Sequence, residues 1–485
     1  MRLREKIALL SGLFVGCATA PEQPALQVWQ RQEQQLQESE PTTLGADAEL
    51  TDYARYAQWH NPGLKRAFMR WKSALERVAP ARALADPRLT YGYFVRHVET
   101  RVGPQEMRFG AAQTFPWKGT LDLKGRIALQ EAEVERQRYE MARRDLVFRV
   151  VAAYYDYYYL ERAFFVTEGN LWLLAYLEEV ARARYRGGIG AHEAVLKAQV
   201  ELGRLEDRLR GLREMRRPAT ARLNAALGRS ILAAVTVPDS LPLAAFPFAQ
   251  EELVARLQTT NPRLQLSLAQ SEAAALEAEL VGKRRYPDLT LAVDYIRTGE
   301  ARLGASPVDN GKDPLVAMAS INLPIQRESY RAQERAAAAN HRAALYSHQD
   351  EVARLTAELE LVLYKRRDAE GRAALYRDSL LPKAEQALNV AQQAFAAGRS
   401  DFLSVIDAHR ALRQRLSQRG KQTRSTILPS APEKHDNGRQ RFLVLGRLVQ
   451  VQAHAPPFLF IHVRIDDRSL NVQPLREDRS HLDPL

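Results

Sequence analysis

Three short clusters of the chain contain residue types that enzymes use, but none has the spacing that the chemistry requires. Gly187-Gly188-Ile189-Gly190 is glycine-rich, yet no Gly-Lys-Ser/Thr follows it and a helical pattern precedes it, so it is not a phosphate loop. His192-Glu193 lacks the second histidine of a zinc-binding His-Glu-x-x-His helix. Asp407 and His409 are two residues apart, and such positions diverge on a helix. The sequence therefore predicts a protein that is not an enzyme, with no cofactor and no metal site.

The single cysteine, Cys17, lies at the end of an N-terminal export signal. A basic start is followed by the apolar run 7–15, and Gly16-Cys17 ends a segment similar to a bacterial lipobox, in which the cysteine is acylated. We therefore predict a signal peptide over residues 1–17 and lipid attachment at Cys17. The alternative is ordinary cleavage after Ala18-Thr19-Ala20, which would discard Cys17 with the signal.

The net charge is +12, a balance that often indicates nucleic acid or an anionic surface as a partner. Arginines and carboxylates alternate along helical faces, as in Glu133-Val-Glu-Arg136-Gln-Arg138, and this pattern is typical of solvated, salt-bridged helices. We therefore expect no nucleic-acid partner. Beyond the N-terminus no run reaches the ~20 apolar residues of a membrane-spanning helix, so any crossing would be made by β-strands.

The chain is a tandem duplication. Asn61-Pro62-Gly63-Leu64 recurs 200 residues later as Asn261-Pro262-Arg263-Leu264, and three further landmarks recur in the same order at similar offsets. These are Pro87-Arg88-Leu89-Thr90 with Pro287-Asp288-Leu289-Thr290, Phe115-Pro116 with Leu323-Pro324, and the glycines Gly188 and Gly398. The sequence thus predicts a first repeat over 51–230, a linker over 231–250 and a second repeat over 251–417.

Each repeat follows one plan: a helix after Asn-Pro, two alternating segments, a long helix and a glycine turn into a last helix. Strands are predicted over 89–98, 107–117, 289–298 and 315–323, and long helices over 121–185 and 330–397. Helices of about 100 Å need to pack side by side as coiled coils. Pro382 is expected to kink the second long helix.

The four strands are the right length to cross a bilayer but too few to close a barrel. Leu89, Tyr91, Tyr93 and Val95 point to one face, with Thr90 and its even-numbered neighbours on the other. Three subunits would supply twelve strands and leave no exposed edge. The predicted fold class is therefore mainly α with a small β part: tandem long coiled-coil hairpins plus four membrane strands per subunit.

This ordered set of features resembles the TolC-like outer-membrane efflux proteins, in particular the branch that serves heavy-metal and related resistance-nodulation-division pumps. The resemblance runs from about residue 50 to 417 and is carried by the duplicated Asn-Pro-x-Leu, the prolines at Pro116 and Pro324, Leu381-Pro382-Lys383-Ala384, and the turns at Gly188 and Gly398. It implies a homotrimer with a twelve-stranded barrel in outer-membrane lipid and a periplasmic α-helical tunnel. It also implies a passive exit duct for an inner-membrane pump joined through a periplasmic adaptor.

The resemblance also implies where the functional residues lie. The turns at Gly188, Gly190 and Gly398 correspond to the periplasmic tip of the tunnel and its adaptor contact. Of the two aspartates that family members often carry after the second turn, the second matches Asp407, whereas the first is replaced by Ser404. We expect Asp407 at the pore aperture, with Asp401 and Glu193 as further carboxylates; the alternative is that all three are solvated helix-end charges.

Two functions with related architectures remain open: a periplasmic coiled-coil adaptor, and an exit duct for type I protein secretion. At the ends of the chain, residues 18–50 are predicted to be an extended segment. Residues 418–485 form an atypical tail rich in proline and arginine, interpreted as out of frame or disordered. Four histidines in the tail have spacings that fit no compact metal motif.

Overall fold

The computed structural model describes residues 22–38, 43–45, 47–237, 248–301 and 308–427. The predicted signal peptide with Cys17 and the tail from residue 428 onward lie outside the described residues, as do residues 238–247 of the predicted linker.

The described elements follow the duplicated plan. The first half comprises α1 (Gln23–Glu38), α2 (Leu50–His60), α3 (Pro62–Glu76), α4 (Val78–Arg82), β1 (Arg88–Thr100), β2 (Gly103–Phe115), α5 (Thr120–Arg186) and α6 (His192–Leu227). The second half comprises α7 (Gln250–Thr260), α8 (Pro262–Lys283), β3 (Leu289–Thr298), β4 (Leu315–Ile321), α9 (Arg327–Leu375), a π-helical turn (Tyr376–Leu380), α10 (Leu381–Ala396) and α11 (Phe402–Ile427). The mainly α fold with a small β part is confirmed.

The repeated Asn-Pro starts a helix in both halves in the same way. The side chain of Asn61 accepts a hydrogen bond from the backbone N–H of Leu64 at 3.1 Å, and that of Asn261 accepts one from Arg263 at 2.9 Å. The following proline occupies the first helical turn, where its missing N–H costs nothing. Each such cap is worth about 1 kcal/mol, which explains why the dipeptide marks both helices.

The four strands form one antiparallel sheet in the order β1-β2-β3-β4. Gly110 pairs with Thr90 on one side and with Asp294 on the other, and Leu289 lies between Phe115 and Ile321. The second strand begins at Gly103, earlier than position 107, because the hairpin pairs right up to its turn, with Thr100 opposite Gly103. Because β1 and β4 are edge strands, the sheet is not closed within one chain.

The two long helical regions differ in continuity. The helix α5 runs without interruption for 67 residues. In the second half, the π-helical turn Tyr376–Leu380 lies immediately before Pro382, where an interruption was expected. Proline removes one backbone donor from the helical ladder, and a π turn is one way to absorb that loss. Among the described residues, no helix is both long enough and apolar enough to span a membrane.

The two ends of the repeat region differ from the predictions. The segment predicted as extended over 18–50 contains α1, whose Trp29 is 2% exposed and stacks on Phe68 at 4.9 Å between ring centroids. Residues 23–38 are glutamine-rich with no glycine, so they favour a helix once one face can pack. At the other end, the helical backbone of α11 continues past position 417 to Ile427.

Candidate functional site

The two glycine turns that join the long helices close with the same hydrogen bonds. In the first, the N–H of Ile189 donates to the carbonyl of Arg184 at 3.0 Å and that of Gly188 to Tyr185 at 3.0 Å. In the second, 210 residues later, Arg399 donates to Ala394 at 2.9 Å and Gly398 to Phe395 at 3.0 Å. This is the Schellman pattern, in which the residue after the helix end adopts a left-handed conformation.

Glycine is required at these turns for two separate reasons. Gly188 and Gly398 have φ angles of 71° and 70°, which side chains rarely adopt, although a Cβ at either position would meet nothing within 4 Å. At Gly190 the reason is space, since a Cβ there would lie 3.2 Å from the Cβ of Arg184.

The two turns are held together by an apolar core, which we call the tip core. It contains Leu177, Ala181, Val195, Ala198, Leu388, Phe395, Phe402, Val405 and Ile406. Phe395 and Phe402 flank the second turn with ring centroids 5.3 Å apart, and the guanidinium of Arg184 from the first hairpin lies 4.1 Å from the Phe395 ring. Both tips therefore belong to one packed unit at one end of the molecule.

The three carboxylates expected at the aperture lie on this unit and are exposed. Glu193 stands on the first turn of α6 and pairs with Lys197 at 2.5 Å, and the hydrogen bond from Lys197 lowers its pKa. Asp401 is exposed in the second turn. Asp407 is on α11, where its side chain is 66% exposed and pairs with Arg410 at 3.0 Å. Ser404, one helical turn before Asp407, is also exposed.

Sequence reasoning missed a buried carboxylate beside these exposed ones. The side chain of Glu201 on α6 is 7% exposed and accepts hydrogen bonds from Arg204 at 2.5 Å and from Arg410 of α11 at 2.7 Å. Burial alone would raise the pKa of Glu201, but the two arginines outweigh it, so the pKa is lowered. Only the local Glu201/Arg204 spacing is visible in the sequence; the bond to Arg410, 209 residues away, is not.

A second polar contact ties the hairpins together nearby. The buried His409 of α11 lies with its Nε2 2.9 Å from the Oδ1 of Asn170 on α5. Together with the Arg410–Glu201 bond, it crosslinks the second hairpin to both helices of the first.

At the other end of the molecule, the sheet has two chemically different faces. The odd-numbered positions of the strands form an exposed apolar face that includes Leu89, Tyr91, Tyr93, Val95, Phe109, Leu291, Val293, Tyr295, Leu315 and Ile321. On the opposite face, Arg108 forms an ion pair with Asp294, which is buried. A Cβ on Gly110 would overlap the Asp294 carboxylate, so glycine makes room for it.

Comparisons with known proteins give the same architecture. Residues 55–229 match the family described as "Outer membrane efflux protein". No curated protein sequence matches the chain.

Among solved structures, the transmembrane channel protein CusC is 14% identical with a TM-score of 0.67, covering 80% of this chain and 92% of its own. The outer membrane protein VceC from Vibrio cholerae is 20% identical with a TM-score of 0.63, covering 78% and 95%. The outer membrane channel CmeC from Campylobacter jejuni is 12% identical with a TM-score of 0.65, covering 80% and 87%.

At these identities the structural likeness shows a shared fold. The family match covers most of the first repeat, including Asn61, the first hairpin and the turn at Gly188. The comparisons do not distinguish the heavy-metal branch from the other outer-membrane channels. The first repeat is thus similar to the outer membrane efflux protein family, and the likeness to the solved channels extends the shared fold to most of the chain.

Proposed function

We propose that the chain is one subunit of a tripartite efflux system in the outer membrane, a passive exit duct for substrates expelled by an inner-membrane pump. The observation that carries the proposal is the position of a sheet with one exposed apolar face at the end of long helices, of which α5 has 67 residues. A periplasmic adaptor would connect the tips to a resistance-nodulation-division pump. Metal ions or small toxic compounds are the proposed cargo, in line with the heavy-metal branch.

The open sheet supports the proposed homotrimer. Both β1 and β4 present unpaired edges, and an exposed edge next to an apolar face invites pairing with another copy. Three copies give twelve strands, with the apolar face toward outer-membrane lipid and the Arg108–Asp294 face toward the lumen. Lipid attachment at Cys17 would add an anchor on the same membrane.

The proposed pore aperture lies at the opposite end, where Asp401, Asp407 and Glu193 are exposed on the tips. Gly188, Gly190 and Gly398 shape the turns that an adaptor would contact. Opening would be a shift of the helices at these turns when the adaptor and pump dock.

The first experiment is the mass of the particle extracted from purified outer membranes in detergent. We expect about 160 kDa of protein, close to three times the 54.9 kDa chain less its signal peptides. A soluble periplasmic monomer would contradict the channel and favour a periplasmic interaction protein instead.

The aperture is tested separately by single-channel conductance of Asp407→Asn. We expect reduced cation conductance, since a ring of carboxylates at a constriction attracts cations. The matched control is Asp207→Asn, which disrupts an equally exposed pair with Arg210 at 2.6 Å on the shaft of α6. Unchanged conductance in Asp407→Asn would remove this residue from the aperture.

A further inference from the structure

The helix-proximal end of the sheet, where β1 and β3 begin and β2 and β4 end, is strongly basic. Lys and Arg outnumber Asp and Glu by 11 to 5 over residues 82–88, 117–126, 283–288 and 326–335. We call the Lys and Arg residues of these four segments the basic collar. The described residues at the far end of the sheet are nearly balanced, with four Lys and Arg against five Asp and Glu over residues 96–106, 297–301 and 308–314. The sheet therefore carries a charge difference between its two ends.

The connections at the collar are held at one level by hydrogen bonds between neighbouring strands. The backbone N–H of Trp117 donates to Oδ1 of Asp288 at 3.0 Å, and the backbone N–H of Asp288 donates to Asn322. The Gln113 side chain donates to the carbonyl of Ala85 at 2.8 Å, which ties the start of β1 to the same level. The collar is thus a built feature of the sheet's end and not four unrelated loops.

An aromatic pair marks the boundary between the collar and the apolar face. Trp117 and Tyr286 stack with ring centroids 4.8 Å apart and an interplanar angle of 9°, and the Arg285 guanidinium lies 5.2 Å from the Tyr286 ring. Tryptophan and tyrosine favour the level of lipid headgroups, because their rings are amphipathic. Leu323 and Ile325, 69% and 80% exposed, lie in the connection between β4 and α9.

Three of the collar cations are available to an external anion. Lys118, Arg284 and Arg285 are exposed. Among the described residues, no carboxylate forms an ion pair with Lys118 or Arg284, and Arg285 reaches Glu334 only at 3.8 Å. Along the sheet axis, the apolar face is therefore followed by the aromatic pair and then by the exposed cations. A phospholipid leaflet has the same order: acyl chains, then the interface, then the phosphates.

From this order we infer that the basic collar binds the headgroups of anionic phospholipids in the leaflet that faces the helical part of the molecule. The inference rests on the proposed function, since it needs the sheet to lie in a bilayer. Basic residues next to a membrane surface attract anionic lipid, whereas the balanced far end provides no such attraction. The collar would thereby fix which end of the sheet faces which leaflet.

The test uses the purified full chain in phosphatidylethanolamine vesicles that contain either brominated phosphatidylglycerol or brominated phosphatidylethanolamine. Bromine quenches nearby tryptophan, and a Trp117→Phe variant measures the quenching of the other four of the five tryptophans. We expect brominated phosphatidylglycerol to compete for the site next to Trp117 about fivefold better than brominated phosphatidylethanolamine does. A preference of this size is what a single well-placed basic residue provides. Because the attraction is electrostatic, 1 M salt should abolish the preference.

Two charge variants locate the effect. The preference for phosphatidylglycerol should be lost in the triple variant Lys118→Gln/Arg284→Gln/Arg285→Gln. It should be kept in the control, which removes the same charge at the far end: Arg96→Gln/Arg101→Gln/Arg297→Gln. Equal quenching by both lipids in the wild type, or an equal loss in both variants, would overturn the collar and leave the channel in place. No quenching of Trp117 by either lipid would show that the sheet is not in the bilayer, and would overturn the proposed function as well.

Discussion

The two repeats share a backbone plan but differ in what fills them. The first repeat is packed by aromatic rings: Phe68 lies 4.9 Å from Trp29, 5.9 Å from Trp71 and 5.3 Å from Tyr139 between ring centroids. In the second repeat the corresponding core is made of Leu253, Leu257, Leu264, Leu355 and Leu359. The position 200 residues after Trp71 is Ser271, which is also buried.

The second repeat also buries polar groups beside its leucine core. Arg263, which stands where the first repeat has Gly63, is 6% exposed and pairs with Glu351 at 2.7 Å. Ser267 lies 2.7 Å from Nδ1 of His348. The caps and turns are nearly identical in the two halves, so the backbone is set by local signals while the interior has diverged around it. The following predictions test how far that separation holds.

The largest expected effect comes from Trp71→Ala in the aromatic core. Trp71 is 1% exposed, and removing a buried tryptophan leaves a cavity that costs about 3–5 kcal/mol. Ser271→Ala, at the equivalent position, should change the free energy of unfolding by about 1 kcal/mol or less. Denaturant unfolding of the detergent-solubilised protein, followed by circular dichroism, measures both, and equal shifts would show that the two cores are energetically equivalent.

The next effect is expected from the buried ion pair of the second repeat. Glu351→Ala removes the carboxylate that lies 2.7 Å from the buried Arg263 and keeps Glu358 at 3.9 Å, and it should cost about 2–3 kcal/mol. Glu328→Ala is the control, because Glu328 pairs with Arg335 at the surface. The double variant Arg263→Met/Glu351→Leu should recover most of the loss in the same unfolding assay. If the double variant is as unstable as Glu351→Ala, an apolar contact cannot replace the ion pair, which contradicts the prediction.

Local signals in the sequence are enough to predict the elements that begin and end on them. The strand Leu289–Thr298 has the predicted bounds, because strict alternation marks it, and the helix Pro262–Lys283 begins after Asn261 as the Asn-Pro signal predicts. The glycines at 188 and 398 were predicted as turns, and both adopt the positive φ angles that favour glycine. Local chemistry therefore predicts most of the fold.

What depends on the pairing of distant segments could not be predicted. The placement of Arg108 beside Asp294 depends on the register between β2 and β3. A shift of one residue would move one of the two side chains to the opposite face of the sheet. The bond from Arg410 to Glu201 needs the packing of α11 on α6. The roles of Asp401, Asp407 and Glu193 at an aperture need the other subunits and stay a prediction.

The shared turns provide a sharper test of the symmetry between the repeats. Gly188→Ala and Gly398→Ala should each cost about 1 kcal/mol, since both force a side chain into the left-handed region. Gly203→Ala, within α6 and with open space around its Cβ, should stabilise by about 0.5–1 kcal/mol. Thermal unfolding of the three variants measures these changes in stability. If only one of the two substitutions lowers the stability, the two turns differ in energy despite their matching hydrogen bonds.

The smallest effect is expected from Glu201, which has no equivalent in the other repeat, since position 411 is alanine. The pKa of Glu201 in the folded protein lies below its ordinary value of 4.5, because the arginines outweigh burial. Its contribution to stability is therefore complete above pH 4.5 and is lost as the pH falls through the folded pKa. Between about pH 6 and pH 3, the unfolding temperature should fall more in the wild type than in Glu201→Gln. The exposed control Glu206→Gln should follow the wild type; if it behaves like Glu201→Gln, the acid sensitivity does not come from the link between α6 and α11.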